Sequence, residues 1–168
     1  MSQPQTLTVR FFPDPILRRK CLPITDFKTQ SLSKLIMRMG TIMRSQRHGI
    51  GIAAPQIGVD KQVALVDVSS RQKDAKRLIL VNPVILEASI EKPSREGCMS
   101  LPDYTAQIKR YEKINLRWQD ETGRFLEQAF EGIEAVCIQH EVDHLQGILF
   151  IDRVISLKRD LIPRPKQF

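Results

Sequence analysis

The stretch Gln139-His140-Glu141-Val142-Asp143-His144-Leu145 decides how the rest of the chain reads. It sets H-E-x-x-H inside an apolar-periodic run. Two imidazoles at i and i+4 share one helix face, roughly 6 Å apart along the axis. Their nitrogens can converge on one metal ion at about 2.0–2.1 Å each. Glu141, beside His140 and one turn before His144, offers a carboxylate to water held at such an ion. Ile133, Val136, Cys137, His140, Glu141 and His144 keep the spacing of a single helix face, and Gly147 is the expected terminator. The competing reading is a buried amphipathic helix whose histidines only satisfy hydrogen bonds, so the remaining segments must decide.

Working outward, the 168 residues suit one domain, and an apolar fraction of 42% supplies a core without disulfides. Three cysteines make no framework, which favours a reducing compartment. Met1 to Arg10 lacks the apolar core of a secretory signal, and no apolar run approaches a membrane span. We therefore expect a cytoplasmic protein with no membrane partner. The net charge of +7 raises attraction to polyanions, and Arg153 to Phe168 holds five Lys/Arg against one acid. A solvated surface is the preferred reading of such a run. No aromatic platform accompanies these cations, so sequence-specific nucleic-acid reading is not expected.

Phe12-Pro13-Asp14-Pro15 is turn chemistry. Ser31 or Ser33 can cap a first helix whose stripe, Leu32, Leu35, Ile36, Met39, Ile42 and Met43, reads as core, with an end near Gln46. Small residues crowd Gly49-Ile50-Gly51-Ile52-Ala53-Ala54-Pro55-Gln56-Ile57-Gly58, letting the backbone approach something closely. A dinucleotide loop does not fit. A helical pattern precedes this segment where a strand is required, and Pro55 falls where the nucleotide-binding helix should begin. A loop lining a small-molecule site fits better, with Gln56 as its strong hydrogen-bonding side chain; a plain Gly-rich connection is the alternative. Gln62 to Val68 reads as a strand, Leu78 to Pro83 as a buried strand limited by Pro83, and Lys113 to Trp118 with Phe125 to Phe130 as a hairpin about Asp120-Glu121-Thr122-Gly123. Ser156 can cap a short last helix that Pro163 and Pro165 must end.

Between the strands lies Arg95-Glu96-Gly97-Cys98-Met99-Ser100-Leu101-Pro102. A lone cysteine is more often a small buried hydrophobe. Opposite a two-histidine helix, a thiolate is also a good third ligand.

Three segments together resemble the peptide deformylase family. Gly49 to Gln56 is similar to its G-x-G-x-A-A-x-Q motif, Glu96 to Ser100 to its E-G-C-L-S, and Gln139 to Leu145 to its Q-H-E-x-D-H-L. Phe12-Pro13-Asp14-Pro15-Ile16-Leu17-Arg18 resembles the family's N-terminal segment. The likeness runs from about Phe12 to Asp152.

The resemblance implies an α+β fold: antiparallel β-sheets surrounding a central metal-binding helix, with an N-terminal helix and a short C-terminal one. It implies a single catalytic metallohydrolase domain over 1–168, with a short basic tail from about 153. The metal is held by Cys98, His140 and His144 with a fourth position open; Fe(II) is the usual ion, and Zn, Ni or Co can replace it. The substrate is the N-formyl-methionyl end of a nascent peptide, and the products are formate and a free amine. Glu141 is the implied proton carrier. The Gln56 amide and the Met99 backbone N–H stabilise the oxyanion, so Met99 in place of the family's usual Leu is tolerated. Gly49, Ile50, Gly51, Glu96, Gly97, Ile133, Val136 and Cys137, with His140, are the implied substrate contacts. The basic surface is the candidate for contact with the ribosome.

Open coordination is what a catalytic, rather than a structural, metal requires. A zinc peptidase would continue H-E-x-x-H-x-x-G-x-x-H, but Phe150 stands at the last ligand position, and no Glu follows Glu141 to serve the other peptidase pattern. A non-catalytic metal module binding ribosomal RNA would need neither Glu141 nor Gln56. Two departures from the family stand out: Thr105, where several relatives carry arginine, and His48, where some carry an acid. The C-terminal stretch is short and carries prolines, so a long ribosome-docking helix like that of some relatives is not expected.

Overall fold

The computed structural model describes residues 8–46 and 49–165. His48, most of the Met1–Arg10 segment and the last three residues of the basic tail lie outside the described residues.

Six antiparallel strands form one hydrogen-bonded path, β1–β2–β3–β4–β5, with β6 on β4. The strands are β1 Gly51–Ala53, β2 Val63–Val66, β3 Leu78–Cys98, β4 Leu101–Gln119, β5 Phe125–Glu131 and β6 Leu161–Pro163. The helices are α1 Gln30–Ser45, α2 Gly132–Leu145 and α3 Leu157–Asp160. Short 3-10 turns occupy Pro15–Arg18, Ala54–Ile57 and Phe150–Arg153.

The β2 strand explains its own apolar run. Val63 and Leu65 pack with α1, whereas Ala64 and Val66 pack with α2. A strand covered by a helix on both faces has no polar side. The stripe expected on α1 is buried throughout. Its start differs from expectation: Thr29 occupies the N-cap, and neither Ser31 nor Ser33 does. Thr29 makes no side-chain cap bond; its hydroxyl lies 2.6 Å from that of Ser31 instead.

Pro83 does not limit β3. The register shifts between Val81 and Val84, and this irregularity absorbs the missing N–H. Asn82 sits there at φ 51° and holds the bend. Its Oδ1 accepts from the Ile24 N–H and its Nδ2 donates to the Ile24 carbonyl, both at 2.8 Å. The long hairpin of β3 and β4 closes through Met99 and Ser100, with Cys98 opposite Leu101.

Helix α2 packs against β1, β2, β3, β4 and β5. The single face expected from periodicity is therefore too narrow: Ala135, Ile138 and Leu145 are buried as well. Gly147 ends this region at φ 74°, and a Cβ there would lie 2.5 Å from the Arg18 carbonyl oxygen. Ser156 takes the N-cap of α3, but its hydroxyl makes no cap bond; the Asp160 carboxylate instead accepts from the Ser156 N–H at 3.0 Å. Beyond α3 the basic segment pairs with Tyr104–Ala106 as β6, a strand that the two prolines had concealed.

Candidate metal centre

The site forms where the end of β3 meets α2. Cys98, His140 and His144 bring one sulfur and two ring nitrogens within 4.8 Å of one another. Cys98 Sγ lies 3.2 Å from His144 Nε2. Glu96 Oε2 sits 2.8 Å from His140 Nδ1, which leaves that ring's other nitrogen for the centre. A soft thiolate with two imidazoles is a donor set that suits Fe(II), Zn or Ni. The thiolate itself is favoured. Burial opposes it, but the charge of His144 and hydrogen bonds from both imidazoles hold the Cys98 thiol well below the ordinary thiol range.

Behind the histidines lies a charged chain that periodicity alone does not reveal. Arg110 donates through Nε and Nη2 to the two Glu96 oxygens at 2.7 and 3.0 Å, and through Nη1 to Asp143 at 2.6 Å. Arg153 donates to both Asp143 oxygens at 2.5 Å, Nε to the Oδ2 that Arg110 also uses and Nη2 to Oδ1. Burial works against ionised Glu96, yet hydrogen bonds from His140 and Arg110 bring its carboxyl down to about 2. Glu96, implied above as a substrate contact, is thus turned inward and engaged with a ligand. Arg110 and Asp143 were not singled out. The available signal was a charge, Arg110, in the inward register of β4, where Ala106, Ile108, Ile114 and Leu116 are all buried.

Gln139 explains another motif position. Its Oε1 accepts from the Tyr111 N–H at 3.0 Å and its Nε2 donates to the Tyr111 carbonyl at 2.8 Å. Tyr111 lies between the stretches of β4 that pair with β5 and β6. The side-chain amide thus acts as a one-residue strand and fixes α2 against β4.

Gln56 is oriented by its own backbone. Its Oε1 accepts from the Ala53 N–H at 2.9 Å, which turns Nε2 toward Cys98 Sγ at 3.4 Å and Ser100 Oγ at 3.1 Å. Ser100, also unforeseen, donates its N–H to Cys98 Sγ at 3.4 Å. Met99 is the first residue of the hairpin turn. Its side chain packs with the α1 core.

The close approach anticipated for the Gly49–Gly58 loop is to α2. A Cβ on Gly51 would stand 2.3 Å from Glu141 Oε1 and 2.8 Å from Cys137 Sγ. A Cβ on Gly49 would meet the Met43 carbonyl oxygen at 2.3 Å. Cys137 Sγ donates to the Ile50 carbonyl at 3.4 Å. Ile50 and Ile133 are half-buried against the same core cluster, and Val136 is half-buried one turn before His140. Glu141 is 3% exposed, and its Oε2 has no hydrogen-bond partner. Burial pushes its carboxyl up to about 7, against the pull of both histidines. A buried acid with one unmatched oxygen is fitted to exchange protons near neutrality.

Phe150, which denies the peptidase pattern its third histidine, is buried and stacks on the His140 ring at 6.4 Å between centroids. Cys21 lies away from the centre, buried in the core cluster beside α2. Burial and Asp60 push its thiol up to about 12.

Residues 6–160 match the family model described as polypeptide deformylase. A peptide deformylase of Heliobacterium modesticaldum is 45% identical over 141 residues, spanning 84% of this chain and 89% of that protein. One from Thermodesulfovibrio yellowstonii is 40% identical, spanning 92% of this chain and 93% of the relative. The crystal structure of peptide deformylase from Thermotoga maritima superposes with a TM-score of 0.81 at 36% identity, covering 88% of this chain and 97% of that one.

Proposed function

This chain belongs to the polypeptide deformylase family, metal-dependent hydrolases that remove the N-formyl group from nascent peptides, and from that premise we propose how its side chains divide the work. The observation that carries the reading is the convergence of Cys98, His140 and His144 on a point flanked by the Glu141 carboxylate and the Gln56 amide. Cys98, His140 and His144 would hold one divalent ion, Fe(II) for preference, with Zn, Ni or Co as substitutes. When bound, that ion would lower the pKa of water and polarise the formyl carbonyl.

The rest is done by the chain. Glu141 takes the proton from the attacking water and returns it to the departing amine. The Gln56 amide and the Met99 N–H stabilise charge growing on the formyl oxygen. A hairpin-turn N–H lies outside the β ladder, which leaves it free for that task. Glu96 fixes the tautomer and tilt of His140, and Arg110 fixes Glu96. Among the described residues, β3 beyond Val81 pairs only with β4. Its other edge, ending at Gly97, is available to an extended peptide, as is the outer edge of β1 near Gly49, Ile50 and Gly51. Ile50, Ile133, Val136 and Cys137 would receive the methionine side chain.

Residues 1–168 would act as one catalytic domain. No helix of the described residues is long and apolar enough to cross a membrane; the cytoplasm is the compartment proposed for this work. Of the basic C-terminal residues, Arg153 is spent on Asp143 and Arg159 pairs with Asp160. Ribosome contact would therefore rest on the remaining surface cations.

Anaerobic purification, elemental analysis and a formate-release assay on formyl-Met peptides test the assignment. Iron and formate release are expected, with activity fading under peroxide as Fe(II) and the thiolate oxidise. Metal-loaded protein that frees no formate would defeat the reaction. Iron-loaded protein indifferent to peroxide would defeat the choice of Fe(II).

A further inference from the structure

Strand β6 carries a guanidinium over Gly97, on the face of β3 opposite the Cys98 side chain. Ile162 pairs with Thr105, and the Arg164 N–H donates to the Asp103 carbonyl at 2.7 Å. The Arg164 side chain then lies over Gly97: a Cβ on that glycine would be 1.9 Å from Nη2 and 3.0 Å from Cζ. Gly97 immediately precedes Cys98. On the same hairpin, Arg95 donates through Nε and Nη2 to the Thr105 hydroxyl, 3.3 Å each.

Both arginines are exposed. Among the described residues, neither has a carboxylate within ion-pair distance. Glu96, the acid nearest in sequence to Arg95, is committed to Arg110 and His140. Asp103 offers Arg164 its backbone. Arg18, Arg110, Arg153 and Arg159, by contrast, each have an acid partner. Two unmatched guanidinium forks around one glycine beside a metal ligand form a surface complementary to a carboxylate.

We infer that Arg164, backed by Arg95, recognises a carboxylate on the bound peptide within the first residues after formyl-methionine, so that this enzyme favours acidic N-terminal sequences. The inference rests on the peptide running along the Gly97 edge as proposed above. An Asp or Glu side chain at the second or third residue is the source on a long nascent chain; the terminal carboxylate of a very short peptide presents the same chemistry.

The test compares formyl-Met-Ala-Ala-amide with formyl-Met-Asp-Ala-amide, formyl-Met-Ala-Asp-amide and the free acid formyl-Met-Ala-Ala. The wild-type enzyme should show KM about threefold to fivefold lower for at least one acidic peptide, the size of a partly screened ion pair, and the gap should shrink as salt is added. The arm that responds identifies the source. R164A should collapse the gap through KM with little movement in kcat, R164K should restore part of it, and R164E should reverse it. Metal content is measured alongside. A wild-type enzyme that treats acidic and neutral peptides alike, or an R164A enzyme that keeps the preference, overturns the inference. Absence of formate release from every peptide would instead strike at the reaction itself.

Discussion

Glu141 is the residue on which turnover depends most directly. Its carboxylate is buried, with Oε2 unmatched, and held near neutrality by the balance of burial against two imidazoles. Glutamine keeps the shape but cannot carry a proton. E141Q should therefore retain its metal and lose about a hundred- to ten-thousand-fold in kcat. Elemental analysis beside formate release checks this, and turnover within a few-fold of wild type would remove Glu141 from the proton path. Arg110 works at the same scale with different logic. Its guanidinium is 3% exposed and shared between Glu96 and Asp143. Removing it would leave Glu96 buried without its guanidinium partner, so Arg110 holds the geometry of the carboxylate that holds His140.

Elements explain why the glycines sit where they do. β1 and α2 touch so closely that Gly51 has no room for a side chain: the Glu141 carboxylate fills the space a Cβ would need. G51A must push either the strand or the carboxylate away. We expect a loss of about 1–3 kcal/mol in stability, as for other overpacked sites, together with a fall in kcat. Urea melts and steady-state kinetics measure the two effects. If both stayed at wild-type values, the strand and helix would not be as tightly apposed as described. The same tight packing accounts for Gln139, whose amide takes the place of a strand residue at Tyr111. Helix position and sheet edge are thereby locked by one side chain.

For the molecule as a whole, the charged chain His140–Glu96–Arg110–Asp143–Arg153 joins β3, β4, α2 and the segment after it, and it makes stability depend on pH. The Glu96 carboxyl is held at about 2, below its ordinary 4.5. A depressed acid contributes stability that is complete above the unfolded value and is lost as pH falls toward the folded one. The window is therefore about pH 4.5 down to about 2, and the contribution is on the order of 3 kcal/mol. Urea melts of metal-free wild type and E96Q from about pH 5 to about pH 3 should converge as the pH falls; parallel curves would contradict the assignment. The sequence by itself determined the ligand helix, the three motif segments, the stripe of α1 and the turn at Asp120, because each is a local pattern of period or spacing. It misjudged Pro83, since a proline is tolerated wherever a strand shifts register, and it was silent on β6, whose pairing with β4 spans nearly sixty residues. Only the tertiary structure decided that Arg110, Asp143 and Ser100 serve the centre, that Glu96 faces a ligand, and that Arg164 overhangs Gly97. Those facts depend on which distant side chains meet in space, and a charge in a strand does not announce its partner until the sheet has closed around it.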